Sequence, residues 1–222
     1  MKFITQLHDK HLNKPMWIVG AGPSIDSYPD NFLDNKLAIT LHNGYLKFPN
    51  TTYRYANEHD RVRWFKANRP EYLDKVNIFA YPFYLRNQPE CESIIDLDRD
   101  NYYFFLLRPN KEKSLDIDWV EKKVIQAKNA SALDFGGRAT CLHGCMYVAI
   151  MMGCNPINII GCEHKAEVGK PEYFGQAEEA SKTLHKRNHV TLGPIQEGGT
   201  LALIEACKRQ GIIVNRYFKY NE

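Results

Sequence analysis

Seven short apolar runs, each closed by turn-forming residues, constrain this chain more than any other feature of it. They are MWIVG at 16–20, LAITL at 37–41, TYRYA at 52–56, NIFAYP at 77–82, YYFFLL at 102–107, INIIG at 157–161 and GIIVN at 211–215. Several are β-branched and unbroken by polar residues, the pattern of strands covered on both faces. Such strands lie in parallel sheets, whose crossovers need helices. Two helical patterns meet that need. Residues 140–152 are apolar almost all round, with Thr140 placed as an N-cap and Gly153 as the stop, which predicts a buried helix. Residues 199–210 place Leu201, Ile204 and Ala206 inward, Lys208 and Arg209 in the last turn, and Gly211 as the stop before a strand. The expected fold is α/β: a Rossmann-like, mostly parallel sheet flanked by helices, as one domain over residues 1–222. The charged, aromatic stretch 83–135 is the least regular and reads as an inserted flap over a sheet edge.

Composition narrows the class of partner. A formal net charge of +3 does not point to a nucleic-acid binder, and the cluster Arg61, Arg63, Lys66 and Arg69 reads as a solvated helix face. The first residues are broken by charges and lack the apolar core of a secretory signal, and no stretch has the length to cross a bilayer. The six cysteines follow no disulfide rhythm, so free thiols and a cytoplasmic location are expected. A homo-oligomer is compatible with all of this.

The first run ends in Gly20-Ala21-Gly22-Pro23-Ser24. Strand, glycine turn and helix in that order can aim backbone N–H groups at an anion, with Ser24 capping the helix or offering its hydroxyl. The pattern is neither the dinucleotide fingerprint, since Ile25 stands where a third glycine belongs, nor a P-loop. A capped turn and nothing more is the alternative. Polar residues at other strand ends favour a site, because ligands of open α/β sheets bind beyond the carboxyl ends of the strands. His42 and Asn43 follow one run, Asn57, Glu58, His59 and Asp60 another, and Cys162, Glu163 and His164 a third. Each asparagine alone could be a turn former.

From residue 136 the chain reads GGRATCLHGCMYVAIMMGCNPINIIGCEHK. A glycine-rich helix start, a buried helix ending in glycine, and an apolar strand ending in Gly-x-Glu-His follow one another. With the N-terminal GAGPS, this order resembles the MptE-like domain, named for an archaeal hydroxymethyl-dihydropterin diphosphokinase. More distantly it is similar to bacterial sialyltransferases that use a CMP-linked donor. The match covers roughly residues 16–60 and 136–215. The resemblance implies that Gly20, Gly22 and Ser24 form the nucleotide-side turn and that Asn43 and Asn57 contact the nucleotide. It sets Arg138, Thr140 and Cys141 on the phosphate side, Glu163 on an acidic position, and Tyr173 on a tyrosine that helps the phosphate leave. Three positions depart from the sialyltransferase pattern: Ala21 replaces an asparagine, Lys165 replaces a second tyrosine, and Pro194 stands where a catalytic histidine belongs. His189 or His185 takes that role only by a shift in register.

Other groupings have a plain reading beside a chemical one. Cys141 and Cys145 lie four apart on a predicted helix and read as core thiols rather than a zinc knuckle, although Cys141 at a helix start could be a nucleophile. Glu163 and His164 could hold a metal or move a proton, or form an exposed pair. His185 and His189 share one helix face, which is either a surface or an acid/base pair. The expected function is that of a nucleotide-dependent transferase moving a diphosphate or phosphoryl group from ATP, with Mg²⁺ held by Asp60 and Glu163. The alternatives are a glycosyltransferase using a CMP-linked or other nucleotide-linked sugar, and a nucleotide binder without catalysis.

Overall fold

The structure, a computed structural model, describes residues 2–41, 43–56, 66–68, 70–82, 100–107, 115–131, 140–163 and 189–218. Among these, eight strands form one sheet: β1 (Lys2–Phe3), β2 (Met16–Val19), β3 (Ala38–Leu41), β4 (Tyr53–Ala56), β5 (Val76–Pro82), β6 (Tyr102–Leu107), β7 (Ile157–Ile160) and β8 (Val214–Tyr217). The spatial order is β1-β6-β5-β4-β3-β2-β7-β8, and every pairing is parallel rather than most of them. From β2 the chain steps outward one strand at a time to β6, then returns to lay β7 and β8 on the other side of β2. The winding therefore reverses between β2 and β7. In sheets of this kind that reversal opens a crevice at the carboxyl ends of the two strands.

Helices α1 (Gly44–Lys47), α2 (Ile117–Lys128), α3 (Cys141–Met151) and α4 (His189–Arg209) complete the described frame, with short 3-10 turns. One sheet face, bearing Ile18, Ile39, Tyr55, Ile78, Phe105 and Ile159, shares a core with α2, α3 and α4. Leu142 to Met151 of α3 are all buried, because sheet and helices cover it together. The other face carries Val19, Ala38 and Ile160 against Ile25, Tyr28, Leu33 and Phe48, contributed by turns rather than by long helices.

The two expected glycine stops are real and share one geometry. Gly153 and Gly211 have φ of 74° and 73°, and each precedes a residue whose N–H bonds back into the helix, Cys154 to Ala149 O and Ile212 to Cys207 O, both in Schellman fashion. This shifts the last strand. Gly211 and Ile212 belong to the α4 cap, so β8 starts at Val214 and Ile213 is exposed.

Three further expectations need correction. Of the three residues expected inward, Ala206 is buried and Ile204 is partly buried against the core, but Leu201 is 54% exposed; the inward stripe of α4 is Thr200, Leu203, Ala206 and Cys207. α4 also begins at His189, ten residues before the predicted start, running through Gly198 and Gly199. The stretch 83–135 is no simple flap in its described parts: β6 lies between β5 and β1, and α2 sends Val120, Val124 and Ala127 into the core. Its start is capped, the Trp119 N–H donating to Asp116 Oδ1 at 3.1 Å.

Candidate functional site

The turns that follow β2 and β7 meet at the point where the winding reverses. Gly20 N–H donates to Ile160 O at 2.8 Å and Gly22 N–H to Gly161 O at 2.9 Å, so the first turn lies flat against the second. A β-carbon on Gly20 would overlap Gly161 O and stand 2.6 Å from Cys162 Sγ; one on Gly22 would overlap Glu163 Oε2. Both glycines are therefore needed for close approach, and what approaches them is the protein's own loop after β7. The Glu163 carboxylate fills the turn from above, Oε1 accepting the Ser24 N–H at 3.1 Å.

This arrangement revises the roles expected of the turn. Pro23–Ser27 is a five-residue 3-10 turn whose N-cap is Gly22, so Ser24 lies inside it and does not cap a helix. Its amide is taken by Glu163, while its Oγ is buried without a hydrogen-bond partner among the described residues. Asn43, 8% exposed, lies between β3 and α1 at the N-cap position of that helix, and the next residue, Gly44, is pressed against Gly20 O. β4, β3, β2 and β7 are parallel neighbours, so their carboxyl ends lie side by side; His42 and the polar residues that follow β4 lie outside the described residues.

The start of α3 comes near Cys162 on the helical face. Thr140 occupies the N-cap with extended backbone (φ −145°, ψ 167°), yet its side chain makes no capping bond, and Oγ1 is buried without a partner among the described residues. Cys141 follows it, near Cys145 and Cys162. Burial pushes the Cys145 thiol well up, with Cys141 and Cys162 adding to this, and burial with the Glu163 carboxylate pushes up Cys162. Both stay protonated, Cys145 inside the core and Cys162 partly buried against it. The described cysteines are free, and among the described residues no three His, Cys, Asp or Glu side chains gather into a metal-holding group. Next to Cys141 in the helix, His143 is 1% exposed. Its Nε2 lies 3.0 Å from Thr200 Oγ1, whose own hydrogen goes to Gln196 O at 2.9 Å.

Two residues escaped the sequence reading. Arg216, on β8, has its side chain 10% exposed and grips Glu197 of α4 with two bonds of 2.7 and 3.1 Å. It also donates to Cys162 O at 3.0 Å, which pins the loop bearing Glu163 from behind. Tyr28 lies on the other side. Burial, helped by Tyr217 and Glu163, pushes its phenol up to about 12, so it remains neutral. The only local hint of Arg216 was a charge placed just after an apolar run.

Asn57, Asp60, Arg138, His164 and Tyr173 lie outside the described residues, as do Glu58, His59 and His185. His189 is the first residue of α4, and only its backbone is described. Among the described residues no helix is long and apolar enough to cross a membrane. Comparison with protein-family models, with curated proteins and with solved structures finds no match to this chain.

Proposed function

We propose that the chain is a nucleotide-dependent transferase that binds its nucleotide in the crevice between β2 and β7. One observation carries the reading: the sheet reverses its winding there, and β2, β3 and β7 all end at that point on polar or glycine-containing turns. The start of α3 supports it. An eleven-residue helix presents its first amides and a buried Thr140 hydroxyl to the same end of the sheet, a suitable place for phosphate. In this reading Gly20, Gly22 and Ser24 form the crevice floor, Thr140, Cys141 and Arg138 face the phosphates, and Asn43 and Asn57 orient the nucleoside. His164, His189 and Tyr173 are the candidates for proton transfer and leaving-group assistance.

The preferred reaction is diphosphate or phosphoryl transfer of the MptE-like kind, in a cytoplasmic setting suited to free thiols. Glu163 is the described carboxylate at the crevice, and it is engaged by Ser24. The described residues do not by themselves make a magnesium site, so the ion would arrive with the nucleotide's phosphates.

The same contact favours a second reading, a nucleotide binder without catalysis, since a carboxylate tied to the turn is poorly placed to hold a metal. Isothermal titration with ATP, with ATP and Mg²⁺, and with CMP separates the cases. Mg²⁺-dependent ATP binding with turnover supports the transferase, and binding without turnover supports the second reading. CMP binding without metal would shift the account toward a glycosyltransferase, and binding of none of the three contradicts both readings. Arg138→Ala should weaken whichever nucleotide binds.

A further inference from the structure

We infer that β8 is a docking edge for a second copy of this chain, the two β8 strands pairing antiparallel across a two-fold axis at Asn215. The inference is independent of the nucleotide reading. Three observations carry it.

The first is the contrast between the two ends of the sheet. β1 closes one end with two residues, one of them Lys2, and short charged edges of that kind discourage pairing. β8 closes the other end with four residues and is flanked by exposed apolar side chains: Ile213 is 58% exposed, Tyr217 40% and Phe218 50%. Its backbone has an open side. Ile157, the partner of Val214, donates its N–H to Ile213 O, so Ile213, Asn215 and Tyr217 turn their backbone groups toward β7. Val214 and Arg216 turn theirs outward, where no further strand pairs with them among the described residues.

The second is self-complementarity. An antiparallel pair centred on Asn215 sets Val214 of each copy against Arg216 of the other, so the outward backbone groups of both meet in hydrogen-bonded positions. It also sets Ile213 of each copy beside Tyr217 of the other, in the closer positions where aromatic and β-branched side chains support each other. Asn215 meets its own counterpart, and an amide can both donate and accept. The run Ile213-Val214-Asn215-Arg216-Tyr217 therefore matches itself when reversed.

The third is charge. A chain of net charge +3 repels its own copies, yet this edge is locally neutral, because Arg216, the charged residue of β8, is held by Glu197 through bonds of 2.7 and 3.1 Å. In the Asn215 register the two guanidinium groups face valines rather than each other, which avoids the penalty of like charges directly opposed. A partner selected by charge would find little here to read. A standard interface covers about 800 Å² on each partner, and one short edge with its flanking rings is smaller, so the dimer is a weak one that forms in about the micromolar range.

Sedimentation velocity on the full chain, from about 1 to about 200 µM, should show a monomer–dimer equilibrium. Ile213→Lys, at a position whose side chain is exposed in the single chain, should weaken that dimer at least about tenfold. Asn215→Cys, treated with oxidised glutathione as the electron acceptor, should give two copies joined by a disulfide at the substituted position, identified by peptide mapping. If that variant does not fold, the native chain and Ile213→Lys decide alone. A native chain that stays monomeric over the whole range overturns the inference, as does a dimer that Ile213→Lys leaves unchanged. A dimer that Ile213→Lys weakens but that does not cross-link through position 215 overturns the pairing about Asn215.

Discussion

The two faces of the sheet are built on different principles. On the helical face, β2 and β3 pack on α3, and Ile18, Ile39, Tyr55 and Ile159 share one apolar core with it. On the other face, Thr40, Arg54, Asn77 and Asn158 are buried, and polar bonds hold the covering turns in place. Arg54 donates to Pro49 O at 2.9 Å and to Glu71 O at 3.4 Å, with its guanidinium 4.7 Å from the Tyr45 ring. Asn77 donates to Leu73 O at 3.2 Å and to Lys75 O at 2.7 Å, and Asn215 to Asn158 Oδ1 at 2.9 Å. The apolar face supplies bulk burial, which tolerates small shifts. The polar face fixes the positions of turns, because each bond has one geometry and a buried group left unpaired is costly. The Ser24–Glu163 contact belongs to a turn of the second kind.

Mutations can break this comparison. The largest effect is expected on the helical face, where Ile159→Ala should cost about 3 kcal/mol in denaturant unfolding through lost burial and a cavity. A cost like that of a surface substitution would mean that the face is loosely packed. Arg54→Met keeps much of the volume but strands two carbonyls, and should cost about 2 kcal/mol. Equal or greater stability in that variant would show that the polar face needs no fixed geometry.

A smaller effect is expected at the rim. His11 Nε2 lies 2.7 Å from Tyr53 Oη, and burial, with Lys10 and Lys14 nearby, lowers its pKa below 6.5. The folded state thus prefers the neutral ring. Its contribution is present above about pH 6.5 and is lost as pH falls through the lower folded value. Stability measured from pH 7 to pH 5 should decline, and His11→Asn should flatten the decline; an unchanged slope would remove His11 as the cause.

How much of this was legible in the sequence depended on whether the signal was local. Strands appeared because buried parallel strands are continuously apolar, and the ends of α3 and α4 appeared because Gly153 and Gly211 mark left-handed caps. α2 was hidden by its charges, although Asp116 and the spacing of Val120, Val124 and Ala127 were there to be read. Leu201 misled because the covering elements, not the helix's own sequence, decide which face turns inward. The glycine turn was visible, but its occupant was not. Ser24 and Glu163 are 139 residues apart, and no local pattern says that a distant carboxylate fills the space over Gly22.

That occupancy is the claim on which the site depends, and a double-mutant cycle tests it directly. Gly22→Ala alone should destabilise by about 2 kcal/mol, because the new methyl group collides with Glu163 Oε2 and crowds Gly161 O at 2.9 Å. Made in a Glu163→Ala background, the same substitution should cost at least about 1 kcal/mol less. Costs that add to within about 0.5 kcal/mol would mean that the carboxylate does not sit over the glycine, and the account of the crevice would be wrong.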